Sequence, residues 1–250
     1  MKRAVMRTCL LWLAFAAPAA LAGSGAGRAD RYPADGGEIV VTPIAQASFV
    51  LEVPGMVIYN DPVGGKAAYA GLAAPGLVLV CHEHEDHLDV ETLRAVVGPG
   101  TTLVVNPASL EKLPAALKAR AKTLRNGETL QVGAVRIEAL PAYHTAPAYT
   151  AYHPRGRDNG YLLSTSGRRI YISGDTDTTT EVRALKDIDI AFLAISRWTM
   201  SAPRGVEAVK AVAPRVAYPY HYESVRERDA FAEGVRAAGS PTRVVLRDWR

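Results

Sequence analysis

The sequence predicts an α/β fold in a single domain. Segments with strand character alternate with segments of helical spacing along the 250 residues, and no low-complexity linker divides them. The apolar run at residues 77–80 has the continuous hydrophobicity of a strand that is buried on both faces of a sheet. Three histidines and an aspartate follow this strand directly, at the sheet edge where α/β proteins place their chemistry. These observations predict an α/β protein with a polar site at one edge of its sheet.

Residues 1–22 have the features of a secretory signal peptide. Three basic residues precede an apolar stretch at 10–21, and an Ala-Leu-Ala cleavage site ends at residue 22. The apolar stretch is shorter than the ~20 residues that a membrane span needs. We therefore expect a bacterial protein that is periplasmic or secreted, with no stable membrane span after cleavage. Residues 23–37, rich in glycine, alanine and aspartate, are expected to form a loose N-terminal arm before a domain at 38–250.

Composition excludes several classes of function for the exported chain. Removal of the leader takes away three of the 29 basic residues, which leaves 26 against 25 acidic ones. A nearly neutral chain without a stripe of Lys and Arg lacks the electrostatic footprint of a nucleic-acid-binding protein. Cys81 is the one cysteine outside the leader, so no intramolecular disulfide can form and stability must come from the core. We predict a small-molecule substrate and no nucleic-acid partner.

The first half of the domain is expected to open with an antiparallel meander. Strands are predicted at 38–44, 48–53 and 56–59, because turn residues such as Pro54 and Gly55 separate these β-prone runs. The remaining predicted elements are a strand at 77–81 that ends on the histidine loop, a helix at 90–97, a strand at 103–106, and a helical stretch at 107–121 interrupted at Pro114.

The second half repeats this plan with variations. Gly133 and Gly167 mark turns within β-prone runs, which predicts two hairpins. The hairpins pair 129–132 with 135–140, and 161–164 with 169–172. The elements predicted after them are helices at 182–185, 206–212 and 225–238, and strands at 189–194, 216–218 and 243–246.

Potential metal ligands follow the ends of five predicted strands. They are Asp61, then His82, His84, Asp86 and His87 in one loop, and finally His144, Asp175 and His221. Imidazole nitrogen and carboxylate oxygen suit zinc and other divalent ions of borderline softness. One short loop with four such groups can hold two ions a few ångströms apart. The sequence therefore predicts a site for divalent metal, with zinc favoured and manganese or iron as alternatives.

The ordered motifs resemble the metallo-β-lactamase superfamily of metal-dependent hydrolases. The resemblance rests on the H-x-H-x-D-H run at 82–87, followed in order by a histidine, a Gly-Asp-Thr turn and a last histidine. Through residues 141–144, 169–177 and 219–222, the chain is most similar to the compact branch that includes lactonase-like and N-acylphosphatidylethanolamine phospholipase D-like proteins. The resemblance implies a four-layer αββα sandwich, which fits two successive β-rich halves.

The resemblance also implies how the ligands divide between two metal ions. The implied first set is His82, His84 and His144, the implied second set is Asp86, His87 and His221, and the implied bridge is Asp175. Two neighbouring cations repel each other, and a shared carboxylate with a shared hydroxide screens that repulsion. Asp86 would orient the hydroxide and take its proton.

Some residues near the ligands have two interpretations. His153 could replace His144 in the first set, but His144 is favoured because it directly follows a strand whereas His153 lies in a loop. His153 and Arg157 are then candidates for substrate contact, with a solvated loop as the alternative. Trp198, in a loop after a buried strand, could form part of the wall of the active site or pack on the surface.

Three further residues beside the motif have provisional roles. Asp61 either accepts a hydrogen bond from a ligand histidine and so fixes its tautomer, or forms a turn before a proline. Glu83 alternates with the ligands and is expected to face solvent. Cys81 could compete as a thiolate ligand but is favoured as a buried strand residue.

The favoured function is an exported dinuclear hydrolase of a small ester, lactone, amide or phosphodiester. A β-lactamase is disfavoured, because Asp175 stands where zinc β-lactamases commonly use Cys. A di-iron redox protein is one alternative, although such relatives tend to carry Glu at the position of His84 and a flavin domain. A non-catalytic metal-binding domain is another, but the ligand set is complete.

Overall fold

The computed structural model describes residues 29–249. The predicted signal peptide and residues 23–28 of the predicted arm lie outside this range. The rest of that arm contains an edge strand, β1 (Asp30–Ala34), which pairs antiparallel with the next strand and places Tyr32 opposite Ile39. The expectation of a loose arm is therefore wrong for this stretch. Alternate side chains of β1, Tyr32 and Ala34, pack against the core and fix a segment whose composition suggested a loop.

The first half of the chain forms a seven-stranded sheet. Its strands are β1, β2 (Gly37–Ala45), β3 (Ser48–Val53), β4 (Met56–Asn60), β5 (Leu77–Leu79), β6 (Thr102–Val105) and β7 (Ala121–Thr123), in that spatial order. The pairs from β1 to β4 are antiparallel, and the pairs from β4 to β7 are parallel. The predicted meander is confirmed. The strand β7 was missed, because Ala121 was placed at the end of a helical stretch and the next two residues were assigned to no element.

Short helices cover the outer face of this sheet. They are a 3-10 helix (Lys66–Tyr69), α1 (Val90–Val96), α2 (Pro107–Lys112) and α3 (Ala115–Lys118). The predicted interruption at Pro114 is confirmed, since this residue is the extended N-cap between α2 and α3. A proline has no N–H to continue a helix, so it is favourable at such a start.

The second half forms a second seven-stranded sheet of the same plan. Its strands, in chain order, are β8 (Thr129–Val132), β9 (Val135–Ala142), β10 (Asp158–Thr165), β11 (Arg168–Ile172), β12 (Ile190–Ala194), β13 (Val216–Tyr220) and β14 (Arg243–Val244). The pairs from β8 to β11 are antiparallel and those from β11 to β14 are parallel. The helices of this half are α4 (Thr180–Arg183), α5 (Ala202–Val212) and α6 (Val225–Ala237).

Three apolar clusters hold the layers together. The largest lies between the two sheets, and it includes Phe49 stacked on Phe192 at 4.0 Å between ring centroids. A second packs the helices α4–α6 on the second sheet, and a third packs α1–α3 on the first. Neighbouring residues of one strand enter different clusters, as Leu79 and Val78 do, because side chains alternate across a sheet. The order helix, sheet, sheet, helix confirms the predicted αββα sandwich.

The parallel halves of both sheets direct their carboxyl ends toward one edge of the sandwich. The loops after β4, β5, β11 and β13 all emerge at this edge, and they carry most of the predicted ligands. Among residues 29–249, no helix is both long and apolar enough to cross a bilayer.

Candidate metal centre

Two residues of the site, Asp61 and His221, have left-handed backbone conformations. Asp61, directly after β4, has φ +41°, and His221, directly after β13, has φ +57°. Non-glycine residues adopt this region uncommonly, and such conformations concentrate at functional sites. Each sharp turn lies directly after a strand, and the side chain of the residue in the turn points into the site.

A third turn, before Asp175, requires glycine. Gly174 has φ +58°, and a Cβ on it would lie 2.7 Å from the carbonyl oxygen of Asn159. No side chain fits there, so the Gly-Asp step brings the backbone of this turn against β10 and delivers Asp175 to the centre of the site.

The first donor group contains His82, His84 and His153. One ring nitrogen from each lies within 4.8 Å of the others. His82 Nε2 is 3.1 Å from His84 Nδ1. His153 Nδ1 donates a hydrogen bond of 2.9 Å to Asp158, so Nε2 of His153 is left as the acceptor nitrogen that faces the group. The three rings therefore offer three converging lone pairs.

The second donor group contains Asp86, His87 and His221. His87 Nε2 and His221 Nε2 are 2.9 Å apart, and Asp86 Oδ2 is 3.3 Å from His221 Nε2. His87 Nδ1 donates to Asp61 Oδ2 at 2.9 Å, so Nε2 is the nitrogen that faces the group. This group combines two nitrogens with a carboxylate.

Asp175 lies between the two groups. Its Oδ1 is 3.4 Å from His87 Nε2, and its Oδ2 is 3.5 Å from His221 Nε2. The same Oδ2 is 3.7 Å from His153 Nε2 and 4.0 Å from His82 Nε2. One carboxylate thus faces donors of both groups, which is the geometry of a shared ligand.

Burial determines the charge of the first group. Burial lowers the pKa of His82 well below its usual value, and the neighbouring His87 lowers it further. The pKa of His84 is also lowered, by burial and then by His153. Both rings are therefore neutral at physiological pH, and the neutral ring is the form of histidine that binds metal ions.

Opposite charges determine the protonation of the second group. Burial opposes ionisation of Asp175, yet His221 and His87 hold the pKa of this carboxyl well below its usual range. Burial also acts on Asp86, but the hydrogen bond with His221 lowers the pKa of Asp86 to about 2. In return, Asp175 overcomes the effect of burial and raises the pKa of His221 to about 9. Ionised carboxylates therefore face protonated imidazole in this group.

His144 lies outside both groups, and the preference for it over His153 is contradicted. Residues 145–152 leave β9 and fold back, so that the His144 N–H donates to the carbonyl of His153 at 3.0 Å. The two rings are 4.5 Å apart between centroids, but His153 is the one that joins His82 and His84. Strand adjacency was the wrong criterion, because a loop that returns to its starting point places its last residue beside its first.

The orienting role considered for Asp61 agrees with its contacts. Its Oδ2 accepts from His87, and its Oδ1 accepts from the backbone N–H of Cys81 at 2.7 Å. Asp61 is fully buried. Cys81 is buried as well, and burial raises the pKa of its thiol well above the usual value. A protonated thiol is a poor metal ligand, which agrees with the prediction that Cys81 is buried, although β5 ends at Leu79 and Cys81 follows it.

The structure separates the other candidates for substrate contact. Arg157 is engaged by Asp158 and by Glu83, so Glu83 does not face solvent freely as expected. Trp198 is 47% exposed, and its ring lies edge-on to Tyr149 at 5.9 Å. Tyr149 belongs to the loop that folds over His144, at 6.2 Å between ring centroids. Trp198 therefore stands on the rim of the site rather than in it.

An unpaired polar atom indicates that the donor set fits a cation. Within the part of the chain that the structure describes, the Oδ1 atom of Asp175, which faces the second group, is buried and has no hydrogen-bond partner. Such groups are costly to bury without compensation. Converging imidazole lone pairs and carboxylates form a set that suits zinc and similar divalent ions.

Comparison with known proteins identifies several relatives. A family profile for a β-lactamase superfamily domain matches residues 40–221. A UPF0173 metal-dependent hydrolase from Pelotomaculum thermopropionicum is 30% identical over 214 residues, which cover 80% of this chain and 93% of the relative. A crystal structure described as that of a metal-dependent hydrolase from Parabacteroides distasonis is 33% identical, with a TM-score of 0.81 over 90% of this chain and 100% of that one.

A more distant structure has the same fold. It is a metallo hydrolase from Ignicoccus hospitalis, which is 22% identical with a TM-score of 0.68 over 84% of this chain and 95% of its own.

Proposed function

Because this chain belongs to the metallo-β-lactamase superfamily and is a metal-dependent hydrolase, we propose that it uses two divalent metal ions. The observation that carries the proposal is the position of Asp175, whose two oxygens face donors of both groups. A carboxylate in this position can share its charge between two cations and reduce their mutual repulsion. Zinc is the favoured metal, with manganese and iron as alternatives.

The proposed ligands follow the two donor groups. His82, His84 and His153 would hold a first ion, Asp86, His87 and His221 would hold a second, and Asp175 would contribute to both. This assignment exchanges His144 for His153 in the set implied by the sequence. It is supported by the carboxylates Asp158 and Asp61, each of which fixes the tautomer of one ligand histidine.

The proposed reaction is hydrolysis by a water activated in the centre. When bound, divalent ions would supply Lewis acidity, which lowers the pKa of a nearby water and stabilises the charge that develops on the substrate oxygen. Asp86 is partly exposed, with 41% of its side chain accessible against 16% for His221 beside it. As an ionised carboxylate at the opening it accepts a hydrogen bond from the attacking water, orients it, and takes its proton. Asp61 keeps the His87 ring fixed meanwhile.

The proposed substrates are small esters, lactones, amides or phosphodiesters. The rim supports a substrate with an apolar part, because Tyr149 and the exposed Trp198 form an aromatic edge beside the centre. The Arg197 guanidinium lies 4.7 Å from the Trp198 ring centroid and pairs with Glu223 at 3.0 Å, and both contacts hold Trp198 at this rim. We assign Trp198 to substrate contact on this basis.

The reaction is tested by metal content and by one pair of variants. The chain from residue 23 onward, stripped and reconstituted with zinc, manganese or iron, is expected to hold two ions and to hydrolyse at least one substrate of an ester, lactone, amide and phosphodiester panel. Asp86→Ala is expected to lower kcat by about 10²- to 10⁴-fold, the usual contribution of a positioned base. Glu85→Ala, an exposed neighbour in the same loop, is the control and is expected to match the parent. Failure to bind any of the three metals, or full turnover by Asp86→Ala, contradicts the proposal.

We further propose that the protein is exported. Support comes from the charged start, the apolar stretch and the small-residue cleavage site within residues 1–22. Expression of the full chain in a bacterium, followed by fractionation and mass spectrometry, is expected to find a periplasmic or secreted protein that begins at Gly23. Recovery of the intact chain from the cytoplasm contradicts export.

A further inference from the structure

Arg157 connects the two loops that supply the first donor group. Its Nε and Nη2 atoms donate to the two carboxylate oxygens of Asp158 at 2.7 and 2.9 Å. Its Nη1 lies 3.0 Å from Oε1 of Glu83, which stands in the ligand loop between His82 and His84. The guanidinium therefore joins the ligand loop to the beginning of β10.

The Asp158 carboxylate, held by Arg157, also binds the ring of His153. Asp158 is fully buried, and its Oδ2 accepts both the Arg157 bond and the Nδ1–H of His153 at 2.9 Å. A carboxylate on one ring nitrogen fixes the tautomer, the ring plane and the basicity of the other nitrogen. The fixed nitrogen is Nε2, which faces Asp175 Oδ2 at 3.7 Å.

The contacts of Arg157 leave it little capacity to bind a substrate. Four contacts engage its guanidinium: two with Asp158, one with Glu83 and one with the carbonyl of Tyr152. An arginine has five N–H donors in a planar fork. The two bonds to Asp158 are parallel and charge-assisted, the geometry in which such bonds are strongest and most directional. Arg157 thus forms a bracket, defined as its link between Asp158 and Glu83.

His153 depends on this bracket because its own segment is irregular. The stretch from residue 145 to 157 consists of turns and bends without strand pairing. The backbone of His153 is held by two hydrogen bonds, to His144 and to Tyr149. Neither of these bonds fixes the χ angles of the ring, so the side-chain partner Asp158 determines where Nε2 points.

We propose that Arg157 and Asp158 are positioning residues that hold His153 in register with His82 and His84. The inference rests on the proposed function, because the first donor group must bind an ion for the positioning to matter. Arg157 acts through Asp158 and Glu83 and does not touch the substrate. Loss of these contacts is expected to lower the affinity for one of the two ions. The affinity for the other ion is expected to stay unchanged, because its ligand His87 is oriented by Asp61.

The test is calorimetric titration of zinc into the metal-free chain from residue 23 onward. The parent protein is expected to bind two ions. Asp158→Asn keeps the shape of the side chain but removes its charge. It is expected to lower the affinity for one ion by about 10- to 100-fold, the usual effect of removing a partner that orients a ligand. Arg157→Met is expected to lower the affinity for the same ion by roughly 10-fold. Arg157→Lys is also expected to weaken it, since an ammonium cannot form the two-pronged bond.

Arg168→Met is the matched control. The Arg168 side chain is 32% exposed against 27% for Arg157, and it likewise joins a carboxylate, Asp189, to a backbone carbonyl, that of Pro33. It lies at the far end of the hairpin formed by β10 and β11, roughly 23 Å along the strand from Asp158. Arg168→Met is expected to bind both ions as the parent does.

A spectroscopic readout distinguishes positioning from general destabilisation. Long-range ¹⁵N–¹H correlation spectra of the metal-free protein are expected to show His153 with its proton on Nδ1, and this signature is expected to be lost in Asp158→Asn. Arg157→Lys serves as the second variant if Asp158→Asn does not fold.

The outcomes separate the inference from the function on which it rests. If Arg157→Met binds both ions with the affinities of the parent, the inference is overturned and the proposed function is not. The same holds if every folded variant loses affinity for both ions equally. A parent protein that binds no zinc, manganese or iron overturns the proposed function and the inference with it.

Discussion

Replacement of His153 by alanine is expected to remove one metal ion and leave the other. His153 supplies one of three nitrogens that lie within 4.8 Å of one another, so the variant reduces the first group to two imidazoles and the shared Asp175. Loss of an orienting partner alone costs 10- to 100-fold in metal affinity. Loss of the donor itself is expected to exceed about 100-fold, or about 2.7 kcal/mol at 1.36 kcal/mol per tenfold. Elemental analysis after gel filtration is expected to find two ions in the parent and one in His153→Ala.

His144→Ala is the matched comparison for this experiment. Both histidines are 4% exposed, and their rings are in contact, so each replacement leaves a similar cavity. His144 belongs to neither donor group, so its removal is expected to lose packing and its contact with the Tyr149 loop rather than a metal donor. We expect His144→Ala to keep two ions with affinities within about threefold of the parent, because it removes no donor from either group. One ion in His144→Ala and two in His153→Ala refute the reasoning.

Three further outcomes are expected. Asp61→Asn weakens the second ion by about 10- to 100-fold in a zinc titration, because His87 loses its ionic partner; unchanged affinity contradicts this role. Gly174→Ala lowers the free energy of unfolding in urea by at least about 1–2 kcal/mol, since its φ is left-handed and its Cβ would overlap Asn159; an unchanged midpoint contradicts the steric argument. Metal affinity falls by as much as tenfold per pH unit below about 9, because the proton on His221 must leave first; calorimetry that detects no proton release at pH 7 contradicts this.

Much of the fold could be predicted from local patterns. The strand β5 was recognisable because its residues are continuously apolar and a ligand loop follows it, and the break at Pro114 follows from proline chemistry. β1 could not be predicted, because its sequence Asp-Arg-Tyr-Pro-Ala has no strand alternation of its own. Pairing with β2 and the packing of Tyr32 make it a strand. Tertiary contacts override weak local preference in such edge segments.

The site could be predicted in part for the same reason. Ligands at strand ends were identifiable by residue type, because the carboxyl ends of parallel strands meet at one edge. His153 was ranked second, since no sequence pattern reveals that residues 145–152 fold back on themselves. The contacts of Arg157 could not be predicted either. An arginine beside a metal motif suggests substrate contact, but its partners Asp158 and Glu83 are known only once the chain is folded.

The sequence by itself determined the class of fold, the family resemblance and the chemistry of the donors, because these depend on residue types in a fixed order. The tertiary structure decided which donors converge. Asp175 and His87 are 88 residues apart in number, yet their side-chain atoms lie 3.4 Å apart because two sheets stack with their loops at one edge. Selection between His144 and His153, which are neighbours in space, depends on where a ring nitrogen points. That direction is determined by Asp158 and Arg157 through hydrogen bonds that form only when the loops meet.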